Sequence, residues 1–514
     1  MTIKGLKNQY LFIFYIKIMS KNLKTASGRK KALESMSNME EFGNKLVFLG
    51  YGSIGTGLLP LLIKIIKLDL SKIILIDMNK NRFKHIKKGY KGGKPPFKIV
   101  NTKITKENAE DVLIDRLELG QDDIIIDCSY EISTKYMYDL CAKHGISYTN
   151  SAIEIWEHEK PKHPKDHTYY GIMKPVEDAN NLIPTNNRKN NFMIGLGCNP
   201  GNVNIWTSYA LEMINEKNNK IPFYSHAELA QKLGLKVVHV SERDTQISNI
   251  PKKENEYVNT WSSDAIPWYG ESFTELEIGW GTHEKKIPNK TIDDMSNEYQ
   301  MIIDKLGAFT WGITYGPESK NITGLLIAHE ECYTICKKLT LRDNNNNIIY
   351  KPSCYYIYRP CDNSLASLME IASMIDVNNY NDEKQKNSRF MTKDIIEGKD
   401  ELGCTLFFEN GDIYWIGSML DISEARSLYN NKFDNIINAT LVQVIAGYVG
   451  SIINLIRMIK KKDYNGLMNP QDLPIKQFME ITRPLLGPFE LVRVKDWKQI
   501  EKTEKTWQFD DFLI

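Results

Sequence analysis

Residues 46–77 carry the feature that most constrains how this chain can fold. The apolar run Leu46–Leu49 leads directly into Gly50, Gly52 and Gly55, which have the spacing G-x-G-x-x-G. A long apolar stretch follows, and then a second short apolar run. This order predicts a strand, a tight turn, a helix and a second strand, because the first glycine permits the turn and the third lets the helix pack closely on the strand.

The same segment indicates a dinucleotide site. The second glycine lets backbone approach a pyrophosphate, and the helix start at Ser53 and Ile54 offers N–H groups to the phosphates. The second strand, Lys72–Ile76, ends in Asp77, 22 residues after Gly55. A carboxylate there binds the ribose hydroxyls of NAD and repels the 2′-phosphate of NADP, so the segment predicts NAD as the cofactor. The alternative is a glycine-rich turn in an α/β domain without a ligand.

Strand and helix patterns continue to alternate after this segment. Further apolar runs that predict strands are Phe97–Val100, Asp123–Cys128 and Ser147–Asn150. The stretches between them, residues 106–119 and 133–145, fit amphipathic helices. This alternation predicts an α/β fold with a doubly wound parallel sheet of the Rossmann type.

The ends of the predicted strands select further candidate residues. Ligands of doubly wound sheets bind beyond the carboxyl ends of the strands. Ser129 and Tyr130 follow the fourth strand, Asn150 ends the fifth, and Glu154 comes shortly after it. We therefore expect Ser129, Tyr130 and Asn150 to contact the cofactor.

A further strand and turn are predicted beyond residue 190. Residues 157–190 are polar and contain prolines, which favours an irregular crossing, and Phe192–Leu196 predicts a buried strand. This run leads through Asn199 and Pro200 into the apolar stretch Val203–Ile214, which predicts a strand-to-helix turn with proline at the first helical position. Both residues are expected beside the nicotinamide end of the cofactor. For Asn199 the alternative is plain helix capping.

Changes in composition and hydrophobic pattern along the sequence predict that the chain has three parts. We expect a basic, disordered tail at residues 1–40, a Rossmann domain at 41–200, and an α+β domain at 201–435, where strand-like runs alternate with turns. Residues 436–514 are expected to return to the Rossmann domain, because they begin with the uninterrupted apolar helix predicted at Ala439–Ile459.

Composition argues against several other classes of protein. The 514 residues include 66 Lys and Arg and 64 Asp and Glu, a net charge of +2, so there is no general attraction to nucleic acid or membrane. No stretch approaches the roughly 20 apolar residues that span a bilayer. The eight cysteines form no C-x-x-C pair and have no partners at zinc-site spacing. We expect a cytoplasmic protein with reduced thiols, no metal site, and no nucleic-acid or membrane partner.

Carboxylates and tryptophans are concentrated in turn-rich stretches of the second half. These stretches are residues 242–246, 259–262, 271, 279–282, 329–331 and 400–401. An indole face beside several carboxylates is how a protein holds an alkylammonium ion, by cation–π attraction together with charge pairing. Solvated acids and core tryptophans would give the same composition, so the residues alone leave both interpretations open.

The chain resembles the homospermidine synthases, NAD-dependent enzymes related to saccharopine dehydrogenase, from about Leu46 to Phe509. The matching motifs are GYGSIG (50–55), CNPG (198–201), ERDTQ (242–246), VNTWS (258–262), GWGT (279–282), AHEE (328–331), YRPCD (358–362), DELG (400–403) and NAT (438–440). The glycine turn and the Asn-Pro-Gly turn are shared across the wider superfamily. The stretch 242–246 and Trp261 are specific to the synthases.

The resemblance implies a reaction that borrows a hydride and returns it. NAD⁺ takes a hydride from an amino-bearing carbon of putrescine and leaves an imine. Ammonia departs as a second diamine attacks, and the new imine is reduced by the NADH just formed. The product is homospermidine, with no net change in oxidation state.

The resemblance also implies roles for individual residues. The acids of the family's substrate pocket correspond to Glu154, Glu242, Glu271, Glu331 and Asp400. Trp261 corresponds to the tryptophan whose ring faces the cationic intermediate, Asn199 and Glu271 to residues close to the reacting carbon, and His329 to a pocket histidine that can shuttle protons.

Each of these roles has a structural alternative. Trp261 could be a core aromatic residue, Glu242 could pair with Arg243 or a neighbouring strand, and His329 could be a satisfied interior histidine. Glu271 follows a stretch about two residues longer than the family norm, which shifts its expected position. Tyr356 and Arg359 replace histidines of the relatives, so the lip of the pocket is expected to differ.

Three functions remain open from the sequence. The first is homospermidine synthase acting on putrescine, with spermidine as a further donor, in the homodimeric form that the family suggests; the second domain would then bind substrate and form the dimer. The second is a saccharopine-type secondary-amine dehydrogenase, which should present arginines to an amino-acid substrate. The third is a catalytically silent NAD-binding protein.

Overall fold

The structure is a computed structural model, and it describes residues 23–84, 86, 95–156, 158, 168–218, 220–262, 272–285, 296–376, 387–430, 436–495, 497 and 506–514. Strands are numbered here in chain order. The strands before residue 200 are β1 (Glu40–Phe42), β2 (Leu46–Leu49), β3 (Ile66–Leu68), β4 (Ile73–Ile76), β5 (Lys98–Val100), β6 (Ile124–Asp127), β7 (Ser147–Asn150) and β8 (Asn191–Met193).

The remaining strands and the helices follow the same numbering. The strands are β9 (Leu235–Asp244), β10 (Ile247–Ser248), β11 (Glu256–Asn259), β12 (Glu275–Gly279), β13 (Gln300–Leu306), β14 (Trp311–Thr314), β15 (Ile322–Ile327), β16 (Leu341–Arg342), β17 (Ile348–Tyr350), β18 (Ser353–Arg359), β19 (Asn387–Phe390), β20 (Ile395–Glu397), β21 (Lys399–Phe408), β22 (Ile413–Asp421), β23 (Gly466–Met468) and β24 (Phe489–Arg493). The α-helices are α1 (Ala26–Ser35), α2 (Ser53–Ile65), α3 (Thr134–His144), α4 (Tyr169–Asn181), α5 (Val203–Asn218), α6 (His226–Leu233), α7 (Glu330–Lys338), α8 (Asp362–Asp376), α9 (Ile422–Leu428), α10 (Ala439–Lys461) and α11 (Ile475–Thr482).

The first sheet has seven strands in the order β23-β8-β7-β6-β2-β4-β5, and every pair in it is parallel. All four residues of β2, β4 and β6 are buried, as expected for strands covered on both faces. β2 lies between β4 and β6, so the strand order reverses at the glycine turn. The predicted doubly wound α/β fold is confirmed, and the turn lies at the position where such sheets bind ligands.

The second sheet has nine strands and is mostly antiparallel. Its main path is β13-β12-β18-β9-β21-β22-β24, with β14 and β15 joined beside β18. The central strand β9 pairs in parallel with β18 and antiparallel with β21, so that Asp244 lies directly opposite Asp400. This mixed sheet with its helices confirms the predicted second, α+β part of the molecule.

Helix α10 is the core helix that links the two sheets. By length and composition it could cross a membrane, contrary to the expectation that no stretch is long enough, but 94% of its most apolar window is buried inside the molecule. It packs on α2, where a Cβ on Gly57 would lie 2.5 Å from the Ile445 side chain. It also packs on the turn before α5, where a Cβ on Gly447 would lie 1.9 Å from the carbonyl oxygen of Gly197.

Two local predictions before residue 201 are wrong. Residues 169–181 form α4 and not an irregular crossing, because Tyr169, Met173 and Val176 bury one face of a helix that tolerates Pro175. The helix that follows the Asn-Pro turn begins at Val203, and Pro200 has an extended ψ of 164°, so proline is not at the first helical position.

The disordered tail is also wrong for part of its length. Residues 1–22 lie outside the described residues, but Ala26–Ser35 form α1. Arg29 is 2% exposed and donates to both carboxylate oxygens of Glu424 at 2.5 and 2.6 Å, and to the carbonyl of Leu23. A buried ion pair to a residue 395 positions away thus anchors this helix to α9, and the local sequence does not reveal it.

The closing segment contributes to both sheets. β23 extends the first sheet beside β8, and β24 forms an edge of the second sheet beside β22. The domain boundaries at residues 40, 200 and 435 stay a prediction.

Candidate active site

One cavity extends from the glycine turn of the first sheet to the acids of the second. The glycine turn opens it: Gly50 has φ +78°, and a Cβ there would lie 2.7 Å from the Cys128 carbonyl oxygen, so a side chain cannot be accommodated. Helix α2 then begins after Gly52, and no side chain among the described residues caps it. Free N–H groups at a helix start, without a side-chain cap, fit a phosphate of a bound dinucleotide.

Asp77 lies at the carboxyl end of β4 and is held from three sides. Its Oδ2 accepts from the Tyr51 N–H at 2.7 Å and from Arg82 Nη1 at 3.0 Å, and its Oδ1 accepts from the Asn79 N–H at 2.7 Å. Arg82 also lines the cavity, with its guanidinium beside Gly52. This end of the cavity therefore holds a carboxylate whose charge is already balanced by a cation.

The loops after β6 and β7 form the next part of the wall. Ser129, Tyr130 and Glu154 line the cavity there. The backbone N–H and the hydroxyl of Ser129 both donate to Asp127 Oδ1. The other carboxylate oxygen of Asp127, Oδ2, accepts from the Tyr148 hydroxyl at 2.7 Å. Burial raises the pKa of Asp127, and these hydrogen bonds oppose that shift.

Asn199 and Glu242 meet where the two sheets face each other. Asn199 Nδ2 donates to Glu242 Oε2 at 2.9 Å, and the Tyr356 hydroxyl donates to the same oxygen at 2.5 Å. All three residues line the cavity. Burial raises the pKa of Glu242 well above its ordinary range, the nearby Asp244 raises it further, and the two hydrogen bonds offset part of the increase.

Two more acids lie behind Glu242. Asp400, on β21 opposite Asp244, is fully buried, and its pKa is raised by burial and by the carboxylates of Glu242 and Asp244. Neither of its oxygens makes a hydrogen bond of ordinary geometry within the described chain, although the Thr440 hydroxyl is close enough to lower the pKa in part. Three buried carboxyl groups thus lie together with raised pKa values, and a cation that enters the site would favour their ionised form.

His329 and Glu331 form a pair at the start of α7. His329 is the residue before the helix and lines the cavity, and its Nδ1 is in hydrogen-bond contact with Glu331 Oε2. Glu331 is fully buried, and the His329 ring is edge-on to Tyr356 with the ring centroids 5.0 Å apart. A carboxylate at Nδ1 orients the ring and favours a proton on that nitrogen.

Trp261 lies two residues after β11. Its side chain lines the cavity, and its backbone N–H donates to Asn259 Oδ1 at 2.9 Å. The Ser262 N–H donates to the same oxygen at 2.7 Å. The Trp261 ring is partly buried and packs against the main hydrophobic core, and the loop that carries it is held by the buried Asn259 amide.

Most of the predicted site residues meet at this cavity. Those that line it are Gly50, Gly52, Ser53, Ile54, Asp77, Ser129, Tyr130, Glu154, Asn199, Pro200, Glu242, Trp261 and His329. Their individual roles stay predictions.

Four predicted residues lie behind the wall of the cavity. Gly55 packs under the turn, where a Cβ would lie 3.1 Å from the Gly50 carbonyl oxygen, and the Asn150 side chain accepts from the Gly195 N–H. Glu331 and Asp400 are fully buried behind His329 and Glu242. Glu271 lies outside the described residues.

Several residues that line the cavity were not predicted as site residues: Arg82, Glu330 and Thr440, whereas Tyr356 was expected only at the lip of the pocket. Arg82 stands in a lysine-rich connection where nothing distinguishes it. Alternation along β18 would have placed Tyr356 on the same face as Tyr358, and position in the motif 328–331 would have suggested Glu330. No group of three His, Cys, Asp or Glu side chains in the described part of the chain could hold a metal ion.

Comparison with known proteins supports a common family. The chain matches the saccharopine dehydrogenase NADP binding domain over residues 46–183 and the saccharopine dehydrogenase C-terminal domain over residues 197–492. It is 27% identical to a homospermidine synthase of Blastochloris viridis over 91% of this chain and 97% of the relative. It is 26% identical to one of Mesorhizobium japonicum over 94% of this chain and 99% of the relative.

A solved structure matches as well. The crystal structure of the homospermidine synthase of Legionella pneumophila in complex with NAD is 28% identical, with a TM-score of 0.78 over 92% of this chain and 98% of that one. The resemblance to homospermidine synthases drawn from the motifs is therefore confirmed. Because the match to the C-terminal domain alone covers more than half of the chain, the protein belongs to the saccharopine dehydrogenase family.

Proposed function

We propose that this protein is an NAD-dependent homospermidine synthase, which joins two diamines with loss of ammonia. The observation that carries the proposal is that one cavity connects the glycine turn and Asp77 to the buried carboxylates around Glu242. A dinucleotide and a cationic amine can therefore meet in the same enclosed space. The full-length similarity to homospermidine synthases supports the same conclusion.

The residues at the glycine turn fit NAD. The uncapped start of α2 suits the pyrophosphate, Gly50 and Gly52 permit close approach of backbone, and Asp77 stands where an adenosine ribose would lie. A bound NAD would supply the acceptor for a hydride from the amine-bearing carbon and, once reduced, the donor for the new imine carbon. The chain itself must hold the amines, move the protons and exclude water.

Glu242 is proposed to bind the ammonium group of the reacting diamine. Both of its recorded hydrogen bonds go to Oε2, from Asn199 and Tyr356, so Oε1 is the oxygen that a substrate ammonium would meet. Burial favours the protonated carboxyl. Glu242 can therefore take up the proton that an ammonium must lose before a hydride leaves the adjacent carbon.

His329 is proposed to exchange the second proton of the cycle. Glu331 at Nδ1 leaves Nε2 as the basic nitrogen of the ring. The leaving amino group departs more readily as ammonia when it is first protonated, and the attacking amine must lose a proton. Because His329 can both accept and donate a proton, it can serve both steps.

Trp261 is proposed to face the protonated imine. A cationic intermediate on an indole face gains about 2 kcal/mol or more where water is excluded, and a neutral amine gains far less. Such an interaction is stronger for the intermediate than for the deprotonated amine, which is the condition for it to speed the reaction.

The finer points of the function are proposals as well. We propose putrescine as the diamine, with spermidine as a further donor, and a homodimer as the assembly. All eight cysteines are free, and seven of them are buried, which supports a reducing, cytoplasmic location.

The test is to incubate the purified protein with catalytic NAD⁺ and putrescine deuterated at both amine-bearing carbons, and to analyse the products by mass spectrometry. A borrowed hydride that never leaves the site predicts homospermidine that keeps every deuterium, even when unlabelled NADH is added. Ammonia should form in equal amount, and NADH should not accumulate.

Other outcomes would identify other functions. Steady accumulation of NADH would indicate a simple amine dehydrogenase, and NAD binding without any product would indicate a silent NAD-binding protein. Replacement of one deuterium by hydrogen in the presence of NADH would show that the cofactor exchanges during the cycle.

A further inference from the structure

Asp244 lies two residues beyond Glu242 on β9, but it does not line the cavity. It is 3% exposed, and both of its oxygens are used by the protein. Oδ2 accepts from the Thr260 hydroxyl at 2.6 Å, and Oδ1 accepts from the backbone N–H and the side-chain amide of Gln246 at 2.8 and 3.1 Å. A buried acid with all of its contacts inside the protein acts on structure and not on substrate.

The Thr260 contact leads directly to Trp261. Thr260 is fully buried and is the residue before the tryptophan. Its hydroxyl is held by Asp244, and its carbonyl accepts from Asn438 Nδ2 at 2.6 Å. The Trp261 and Ser262 N–H groups both donate to Asn259 Oδ1, so the peptide units on both sides of Trp261 are fixed by buried polar groups.

The same network reaches the start of α10. Asn438 caps this helix by accepting from the Leu441 N–H at 2.8 Å. Gln246, held by Asp244, accepts from the Ala439 N–H at 2.9 Å and donates to the Thr440 hydroxyl at 3.1 Å. Helix α10 packs on α2 and on the Asn199 turn, so the network connects the Trp261 loop to the cofactor side of the cavity.

We propose that Asp244 is a positioning residue that sets the Trp261 indole through the Thr260 hydroxyl and ties it to the start of α10. The proposal deepens the proposed function, since it assigns the rigid placement of the ring that faces the imine. It also gives a physical reason for the motif 242–246. Glu242 reaches the cavity, Asp244 holds the loop that carries Trp261, and Gln246 holds the start of α10.

The test compares Thr260→Val, which keeps the shape and loses the hydroxyl, with Thr260→Ser, which keeps the hydroxyl. Thr405→Val is the matched control, because Thr405 is equally buried and donates to the Tyr315 carbonyl away from the cavity. T260V should lower kcat about tenfold and leave NAD affinity unchanged, since it strands one oxygen of a buried carboxylate, and T260S should restore the rate. T405V should leave kcat unchanged.

A double-mutant cycle with Trp261→Phe shows whether the effect passes through the indole. The loss caused by T260V should shrink markedly in the W261F background. Equal losses in both backgrounds would overturn the proposal.

Fluorescence provides a readout that does not depend on the reaction. The emission of Trp261 is obtained as the difference between proteins with and without W261F, and T260V should shift it and increase its quenching by acrylamide. An unchanged difference spectrum would overturn the proposal. A shifted spectrum without any effect of W261F on turnover would support the positioning and refute the role of Trp261 in the proposed function.

Discussion

The two ends of the cavity treat their carboxylates in opposite ways. Asp77, at the cofactor end, accepts from two backbone N–H groups and from the Arg82 guanidinium, so its charge is balanced within the protein. Glu242, at the other end, accepts from the neutral side chains of Asn199 and Tyr356 and lies near two further acids. Among the described residues that line the cavity, the basic side chains of Lys and Arg type are Lys103 and Arg82, and both lie at the end that contains Asp77.

This difference indicates which ligand each end requires. A balanced carboxylate can accept hydrogen bonds from ribose hydroxyls without attracting a cation. An unbalanced group of buried acids is costly until a cation enters, because burial removes the water that would otherwise solvate the charge. The acidic end thus favours an amine substrate over an amino acid.

The largest effect is expected from a substitution at the acidic end alone. Glu242→Gln removes the carboxylate that pairs with the substrate and keeps the shape, so kcat/KM for putrescine should fall about 10²- to 10⁴-fold, since the loss of one partner of a buried charge pair costs about 3–5 kcal/mol. Steady-state kinetics and NAD titration measure the two ends separately. Glu256→Gln, which weakens a contact with Arg389 outside the cavity, is the control. An equal loss of NAD affinity in E242Q would show that the two ends are not separate.

The next effect concerns Trp261, the aromatic residue proposed to face the imine. Trp261→Ala should lower turnover about 30-fold, because a desolvated cation–π contact is worth about 2 kcal/mol. NAD affinity should stay unchanged in a calorimetric titration. Trp311→Ala, whose ring lies near the Arg359 guanidinium away from the cavity, should leave turnover unaltered. If cofactor affinity collapses in W261A, the ring belongs to the cofactor end and its placement here is wrong.

A smaller effect is expected at the cofactor end. Asp77→Ser should weaken NAD binding about tenfold, through loss of a charge-assisted hydrogen bond, and improve NADP binding, because Arg82 is released to meet a 2′-phosphate. Dissociation constants for both cofactors measure the change. The rate at saturating NAD should match that of the parent protein. If NADP binding does not improve, Arg82 is held by something other than Asp77.

The smallest effect is on stability and depends on pH. Glu277, buried in the second sheet, accepts from the Tyr169 N–H at the start of α4, and burial raises its pKa to about 7 from an ordinary value of 4.5. Between pH 4.5 and about 7 the folded protein binds more protons at this carboxyl than the unfolded chain does. The free energy of unfolding therefore falls as the pH rises across this interval. Glu277→Gln has no such proton to lose. Its thermal midpoint should exceed that of the parent by a few degrees more at pH 8 than at pH 5.

Glu298→Gln is a control in which the pKa shift has the opposite sign. Partial burial raises the pKa of Glu298, but the hydrogen bond and charge of Arg342 help to lower it below its ordinary value. Its midpoint relative to the parent should not rise between pH 5 and pH 8. A pH-independent gap for E277Q would mean that Glu277 is ionised without cost in the folded state.

Local patterns in the sequence predicted the cofactor half of the molecule well. The strands around Gly50, the helix after it and the position of Asp77 all depend on residues close together in the chain, where periodicity and glycine spacing act directly. The errors arose where a distant residue decides the local structure. Arg29 orders α1 through Glu424, and Glu277 supports the start of α4.

The acidic half was predicted by resemblance more than by pattern. Carboxylates at residues 242, 331 and 400 are far apart in the sequence, and no spacing rule brings them together. Their meeting depends on the register of the second sheet, which sets Asp244 opposite Asp400, and on α7, which places Glu331 behind His329. Arg82 carried no local signal, and only the structure shows that it lines the cavity.

By itself, then, the sequence determined a parallel α/β sheet, a glycine turn after its first strand and an acid at the end of the neighbouring strand, because these follow from contacts between neighbours in the chain. Only the tertiary structure decided which acids are buried, which are balanced by a cation, and that Asp244 faces the protein and not the cavity. The physical reason is that the charge state of a carboxylate depends on burial and on partners, and both come from strands and helices that are remote in sequence.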